Sequence, residues 1–330
     1  MVRVAINGFG RIGRMVFRAG FSHKDIEFVA VNDLTGTKTL AHLLKYDSVH
    51  GKLSADVGHD ENNLYINGKQ LRVYAQRDPK NLPWKDLGVD VVIESTGFFT
   101  TKEGASGHLD AGAQKVIISA PAKGDVKTVI IGINEGEITS DDRVLSNASC
   151  TSNSLAPLVK VLHDNFGIVH GFFSTVHAYT GDQRIVDGPH KDLRRARAAA
   201  QNIVPTSSGA ASAVTKALPE LEGKITGMAF RVPVPDGSVT EFTCVVKKKT
   251  DAQHINWLFS QVAHHHLRDV IRYSDEPLVS TDIIGDTHSC IFDAQSTEVI
   301  DGHLVRVVGW YDNEWGYSNR LIDLIRLVQK

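Results

Sequence analysis

The run Val2-Arg3-Val4-Ala5-Ile6-Asn7-Gly8-Phe9-Gly10-Arg11-Ile12-Gly13 decides the fold. Val2–Ile6 is a short, β-branched apolar segment, the pattern of a parallel strand buried on both faces. It runs directly into glycines at 8, 10 and 13, then into a helix-compatible stretch ending near Ala19. Strand, Gly-x-Gly-x-x-Gly turn and helix, in that order, form the unit that binds a dinucleotide. Gly8 permits the tight turn, Gly10 lets the backbone approach a pyrophosphate, and Gly13 lets helix and strand pack closely. The helix N-terminus adds free N–H groups for phosphate oxygens. Working outward, Ile26–Val31 reads as a second strand closed by Asn32 and Asp33. Asp33 follows Gly13 by 20 residues, where its carboxylate would accept the adenosine ribose hydroxyls and repel a 2′-phosphate. NAD is therefore expected over NADP. The competing reading, a glycine-rich turn beside a solvated aspartate, does not account for the strand and helix on either side.

Further buried-strand candidates are Val89–Glu94, Lys115–Ser119, Thr128–Ile133 and Arg143–Leu145. Short apolar strands with crossovers between them predict a doubly wound α/β sheet of the Rossmann type. Past Ser149 the texture changes. Gly167–His177, Gly227–Val232, Val239–Lys247, Cys290–Ala294 and Leu304–Trp310 are mostly longer and more alternating, which predicts an α+β catalytic domain with a mostly antiparallel sheet. Helices are expected at Ser208–Leu218 and His254–Asp269. Residues 316–330 read as a final helix, expected to pack back on the first domain. The expected division is 1–149 for dinucleotide binding and 150–315 for catalysis.

A chain of 330 residues, 42% hydrophobic, has material for two such cores. A formal charge of −2 gives no global attraction to nucleic acid or an acidic membrane surface, so neither is expected as a partner. No apolar stretch approaches the ~18–20 residues that span a bilayer, and Arg3, Asn7, Arg11 and Arg14 interrupt any apolar leader. A cytoplasmic location is expected, in keeping with three widely spaced cysteines rather than a disulfide framework.

Those three cysteines differ. Cys244, within EFTCVV, and Cys290, before Ile291 and Phe292, read as small core residues. Cys150 lies among hydroxyl and amide neighbours, Ser149-Cys150-Thr151-Ser152-Asn153-Ser154, ahead of the helical pattern Leu155–Leu162. A helix N-terminus favours a thiolate. A reactive thiol needs a proton acceptor, and among 15 histidines His177 is best placed, ending the strand HGFFSTVH before a polar turn. His264-His265-His266 is no metal site, because adjacent residues on a helix point apart. No metal is expected.

Read together, AINGFGRIGR, KYDSVHGK, ASCTSNSLAP, HAYTGDQ, DGPHKDLRRARAAA and WYDNEWGYSNR resemble the phosphorylating glyceraldehyde-3-phosphate dehydrogenase family along essentially the whole chain. The resemblance implies NAD-dependent oxidation and phosphorylation of glyceraldehyde 3-phosphate, with inorganic phosphate as second substrate, by a homotetramer. It implies Cys150 as nucleophile and His177 as its base. Thr180 and Arg231 correspond to the site for the substrate's own phosphate. Ser149, Thr151, Arg195, Ser208 and Gly209 correspond to that for inorganic phosphate. Besides Gly8, Gly10 and Gly13, the positions Arg11, Ile12, Asp33, Arg77, Ser119, Asn313 and Tyr317 correspond to cofactor contacts, Asn313 facing the nicotinamide carboxamide. Ser154 stands where many members carry a second cysteine, Ser208 replaces a commoner threonine, and Gly181 replaces a larger polar residue. Pro189 matches the NAD-using form. The alternatives are an erythrose 4-phosphate dehydrogenase and a catalytically idle nucleotide- or RNA-binding protein of the same fold.

Overall fold

The structure, a computed structural model, describes residues 1–329 and divides into two units. The first comprises Met1–Val129, Gly136–Ala148 and the chain from Ser318 onward; the second comprises Ile130–Glu135 and Ser149–Tyr317. Lys330, the last residue of the expected final helix, lies outside the described residues.

In the first unit, β1 (Val2–Asn7) leads into α1 (Arg11–Gly20), followed by β2 (Ile26–Asn32) and α2 (Thr37–Lys45). A small antiparallel extension comes next: β3 (Val57–His59), β4 (Asn63–Ile66) and β5 (Lys69–Tyr74). Then follow β6 (Val91–Glu94), α3 (Lys102–Asp110), β7 (Lys115–Ile118), β8 (Lys127–Thr128) and β9 (Val144–Ser146). The nine strands form one sheet in the order β3-β4-β5-β2-β1-β6-β7-β9-β8, parallel from β5 to β8. Strand order reverses direction at β1, so the crevice at the carboxyl ends of β2, β1 and β6 is where a doubly wound sheet takes its ligand. Asn7, Asn32 and Glu94 end those three strands in register, and all three are buried.

Most strand expectations match within one or two residues. Thr128–Ile133 does not form the expected strand: pairing stops at Thr128, and the Asn134 side chain accepts from Ile130 N (2.9 Å) to make a turn.

The second unit opens with α4 (Cys150–Phe166), longer than expected because Ser149 caps it, its Oγ accepting from Ser152 N. There follow β10 (Ile168–Ala178), β11 (Val204–Ser207), α5 (Ala210–Ala217), β12 (Ile225–Val232), β13 (Ser238–Val246) and α6 (Ala252–His264). The chain continues through β14 (Ile271–Ser274), β15 (Cys290–Asp293), β16 (Glu298–Ile300), β17 (Leu304–Tyr311) and α7 (Trp315–Leu327). The second sheet runs β11-β12-β10-β13-β17-β15-β14, with β16 paired to β17. It is mixed, since β10 with β12 and β14 with β15 are parallel.

The helix expected at His254–Asp269 instead starts at Ala252, where Asp251 caps it, and ends at His264, because His265 leaves helical geometry (φ −118°, ψ −110°). His265 and His266 are thus not on a helix at all, and all three histidines are exposed. In α7, Ile322 packs beside Gly20 and Arg326 pairs with Asp25 (2.7 Å), within the first unit. Among the described residues, no helix is long and apolar enough to cross a membrane.

Candidate active site

Two sites take shape, one in each unit. In the first, a cavity of about 580 Å³ is lined by Asn7, Gly8, Gly10, Asn32, Asp33, Leu34, Gln76, Arg77, Ser95, Thr96, Phe98 and Phe99. The three glycines of the turn have different reasons to be there. Gly8 has φ +91°, and a Cβ on it would lie 2.7 Å from Thr96 N. A Cβ on Gly13 would lie 2.1 Å from Gly8 O. A Cβ on Gly10 would meet no protein atom within 4 Å, and Gly10 has an ordinary extended conformation, so the protein's own packing does not require a glycine there. Close approach of a dinucleotide's pyrophosphate would require one. Asp33 is held by Phe9 N (2.8 Å) and Thr35 N (2.9 Å).

Gly8, Gly10, Asp33 and Arg77 therefore gather on one cavity. Arg11 and Ile12 open α1, with the Arg11 guanidinium paired to Asp47 (2.5 Å), whose carboxyl is lowered to about 2. Burial opposes that shift, and the bonds from His50 N, Arg11 and Val49 N outweigh it. Ser119 follows β7 and donates its N–H to Glu94 O (2.9 Å), and it is not among the lining residues. Asn7, Asn32, Leu34, Gln76, Ser95, Thr96, Phe98 and Phe99 were not singled out from sequence. Their common signal is position, at or just beyond the carboxyl ends of β1, β2, β5 and β6.

In the second unit, Cys150 is the first residue of α4 and His177 the second-last of β10. Cys150 Sγ stands 3.4 Å from His177 Nε2. His177 Nδ1 contacts the Ala178 carbonyl at 2.7 Å, an acceptor that suits the tautomer with hydrogen on Nδ1 and a bare Nε2 toward the sulfur. Burial, with the nearby Arg231 charge, lowers the imidazole to about 3. Burial also pushes the Cys150 thiol up, while Arg231 and the Thr151 N–H and hydroxyl draw it toward thiolate.

Residue 231 is opposite residue 177 in the β10–β12 register. Arg231 Nη1 lies 2.5 Å from His177 Nδ1 and donates to Ala178 O (3.0 Å). One strand further out, Thr206 of β11 accepts from Arg195 Nε (2.9 Å), and Arg195 also pairs with Asp182 and Asp192. The charges of Arg195 and Asp182 both reach Arg231. The order β11-β12-β10 thus sets the Arg231 guanidinium beside the imidazole, with Arg195 near enough for its charge to reach Arg231.

The other expected positions are more dispersed. Thr151 Oγ1 bonds the buried Tyr311 hydroxyl (2.9 Å), Ser208 Oγ accepts from Ala210 N (3.2 Å), and Gly209 caps α5. Thr180 N donates to Gln183 Oε1 (3.3 Å). Asn313 is buried with Oδ1 accepting from Ser238 Oγ (2.6 Å), and Tyr317 is buried on α7. Cys244 and Cys290 are buried, and burial raises both to about 12, which leaves them inert thiols.

Residues 2–102 match the family model described as the NAD binding domain of glyceraldehyde 3-phosphate dehydrogenase, and residues 149–313 match that of its C-terminal domain. The chain is 59% identical to a glyceraldehyde-3-phosphate dehydrogenase of Thermotoga maritima, with all of both chains covered. It is 57% identical to that of Geobacillus stearothermophilus, over 98% of this chain and 97% of the relative. With glyceraldehyde-3-phosphate dehydrogenase 1 of Bacillus subtilis it shares 54%, over 100% and 98%. A dinucleotide crevice in one unit and a thiol–imidazole pair beside Arg231 in the other agree with these likenesses, and the chain belongs to the glyceraldehyde-3-phosphate dehydrogenase family.

Proposed function

We propose that this chain oxidises glyceraldehyde 3-phosphate to 1,3-bisphosphoglycerate with NAD and inorganic phosphate, through a thioester on Cys150. The observation that carries the reading is the 3.4 Å approach of Cys150 Sγ to His177 Nε2, with Arg231 beside the imidazole. His177 takes the thiol proton, the thiolate attacks the aldehyde carbon, and His177 returns that proton to the carbonyl oxygen, giving a hemithioacetal on Cys150. NAD, when bound, supplies the hydride acceptor. Gly8, Gly10, Arg11, Ile12, Gly13, Asp33, Arg77, Ser119, Asn313 and Tyr317 hold it.

His177 then accepts the hemithioacetal hydroxyl proton, leaving a thioester that retains the energy of oxidation. Inorganic phosphate attacks the thioester and releases the acyl phosphate. Thr180 and Arg231 bind the phosphate that the substrate brings. Ser149, Thr151, Arg195, Ser208 and Gly209 bind the one that attacks. Arginines suit both tasks because their planar donors match phosphate oxygens. A hydride transfer ending in a free acid would need no second anion site, which disfavours an erythrose 4-phosphate enzyme.

The protein acts in the cytoplasm as a homotetramer. Support for association comes from the second sheet, whose helices α4, α5 and α6 all pack on one side. The other side carries Phe172, 66% exposed, and Val176, 40% exposed, with Phe230, Val239, Val308 and Trp310 around them. An apolar face of this kind on a monomer is the mark of a protein interface.

The assay is NADH formation with glyceraldehyde 3-phosphate, NAD and phosphate, each omitted in turn. All three are expected to be required, and arsenate is expected to replace phosphate. Activity that persists without phosphate or arsenate would overturn the phosphorylating mechanism. Cys150→Ser is expected to reduce the rate by at least about a thousandfold, and undiminished turnover would rule out the thioester.

A further inference from the structure

Beneath the cofactor cavity lies a buried polar chain that the proposed reaction does not use. Glu94, 1% exposed, ends β6, and His108, 0% exposed, sits on α3. Glu94 Oε2 accepts from Asn7 Nδ2 (2.6 Å) and contacts His108 Nε2 (3.0 Å). Glu94 Oε1 accepts from Thr96 N (2.8 Å) and Thr96 Oγ1 (2.5 Å). On the far side of the imidazole, the buried Trp84 indole Nε1 approaches His108 Nδ1 at 3.0 Å.

The hydrogens along this chain can be assigned one by one. An indole N–H only donates, so His108 Nδ1 is the acceptor and carries no hydrogen. The ring's single hydrogen is then on Nε2, aimed at Glu94. A buried carboxylate is costly unless donors satisfy it, and Glu94 receives four, two on each oxygen. Two of the residues that donate, Asn7 and Thr96, line the cavity; His108 and Trp84 do not. Asn7 in turn accepts from Asn32 Nδ2 (2.7 Å), and Asn32 bonds Gln76 through both N–H and C=O (2.8 Å each). Trp84, His108 and Glu94 are therefore connected to four cavity-lining residues, Asn7, Thr96, Asn32 and Gln76.

We propose that His108 is a positioning residue for the dinucleotide: with its tautomer fixed by Trp84, it donates to Glu94, and Glu94 thereby holds Asn7 and Thr96 in the binding conformation. The proposal rests on the NAD-dependent reading of the first unit and deepens it. Neither Trp84 nor His108 touches ligand or reacting atoms, so their removal acts on cofactor affinity and leaves the chemical step alone.

The test is equilibrium titration of full-length protein with NAD, beside steady-state kinetics. His108→Leu is expected to weaken NAD binding by about tenfold or more, the effect of leaving one buried acceptor position of a carboxylate without its donor. Turnover at saturating NAD and the KM for glyceraldehyde 3-phosphate are expected to stay within about twofold. His108→Gln, which restores an N–H toward Glu94, is expected to recover most of the affinity. A folded His108→Leu protein with unchanged NAD affinity would overturn the proposal, as would a fall in turnover with affinity intact.

Should His108→Leu fail to fold, Trp84→Phe keeps the ring packing and removes only the indole N–H. It is expected to weaken NAD binding about threefold and to admit the Nδ1–H tautomer of His108, read by nitrogen NMR of labelled histidine. A wild-type spectrum showing Nδ1–H, or an imidazolium at neutral pH, would equally overturn it. If wild-type protein bound no NAD at all, the cofactor reading itself would fail, and that result is distinct from every variant outcome above.

Discussion

Gly10 and Gly13 sit three residues apart in one turn, yet the structure separates what each is for. At Gly13 a methyl group would strike Gly8 O at 2.1 Å, so Gly13→Ala must push α1 away from β1. Overpacking of that kind costs about 2–3 kcal/mol, read as a lower denaturant midpoint. At Gly10 there is no protein atom to strike, so Gly10→Ala should stay within about 0.5 kcal/mol of wild type. Its NAD affinity should nevertheless fall by about tenfold or more, because the methyl group occupies space the pyrophosphate needs. Equal stability losses at the two sites would contradict this division. A second residue-scale prediction concerns Asp236, fully buried and hydrogen-bonded to Asp312. Asp312 already accepts from Gly285 N, Glu314 N and Trp315 N, so Asp312 is the charged partner and Asp236 keeps the proton. Burial, then the Asp312 and Glu314 charges, push the Asp236 carboxyl far above its usual range. The unfolded chain releases this proton near pH ~4 while the folded chain holds it, so stability from this group falls as pH rises above ~4. Asp236→Asn, which keeps a donor toward Asp312 and cannot ionise, should gain on wild type by up to about 4 kcal/mol between pH 5 and pH 8, at about 1.4 kcal/mol per pH unit for the one proton. Parallel curves of unfolding free energy against pH would refute it.

The elements of the cofactor unit were legible in proportion to how apolar they are. Val2–Ile6, Ile26–Val31 and Lys115–Ser119 are dense in β-branched residues, and a strand buried on both faces has no other composition available. The hairpin β4–β5 went unread although its signal was present. Asn67-Gly68 is a two-residue loop with both residues at positive φ (50° and 77°), the arrangement that favours Asn-Gly in tight hairpins. The buried tier Asn7–Asn32–Glu94 had no such signal, because it exists only once the order β2-β1-β6 sets three strand ends side by side. The same holds for His177 and Arg231, 54 residues apart in sequence and opposite each other in the β10–β12 register. Gly227 lets those two strands approach, since a Cβ there would sit 2.1 Å from Phe173 O. Gly227→Ala should therefore cost about 2–3 kcal/mol and slow turnover as well, by disturbing the register that brings arginine to imidazole. Thermal unfolding and steady-state rates measured on one preparation decide it. A stable variant with full activity would show that the strands tolerate the shift and that the register is not what sets the site.

The proposed association of the whole molecule would use the side of the second sheet that its helices leave open. Registers across β12, β10, β13 and β17 put Phe230, Val176, Val239 and Trp310 in one row, with Val308 in the next row of that face and Phe172 in the one beyond. Strand alternation explains why these residues are there: their neighbours Phe173, Phe242 and Val307 point to the buried side under the helices, and the period of two sends the next residue outward. A face held only by solvent would be expected to read as polar, whereas this one sets Phe172, Val176, Phe230, Val239, Val308 and Trp310 among Ser174, Thr226, Glu241, Thr243 and Arg306. In the proposed assembly a second copy of the chain would cover this face with the same residues, as two-fold symmetry requires, and burying the ~800 Å² per partner of an ordinary interface is within the reach of a four-strand surface. Changing Phe172→Glu together with Val176→Lys places charges where that copy would sit, while each isolated chain loses little, since both side chains are already exposed. Sedimentation velocity should then show a smaller species than wild type, with unfolding of the dissociated chain less than about 1 kcal/mol changed by the charges themselves. If the variant sediments as wild type does, this face is not where the copies meet, and the exposed apolar residues Ile185, Val186 and Leu193 become the surface to alter next.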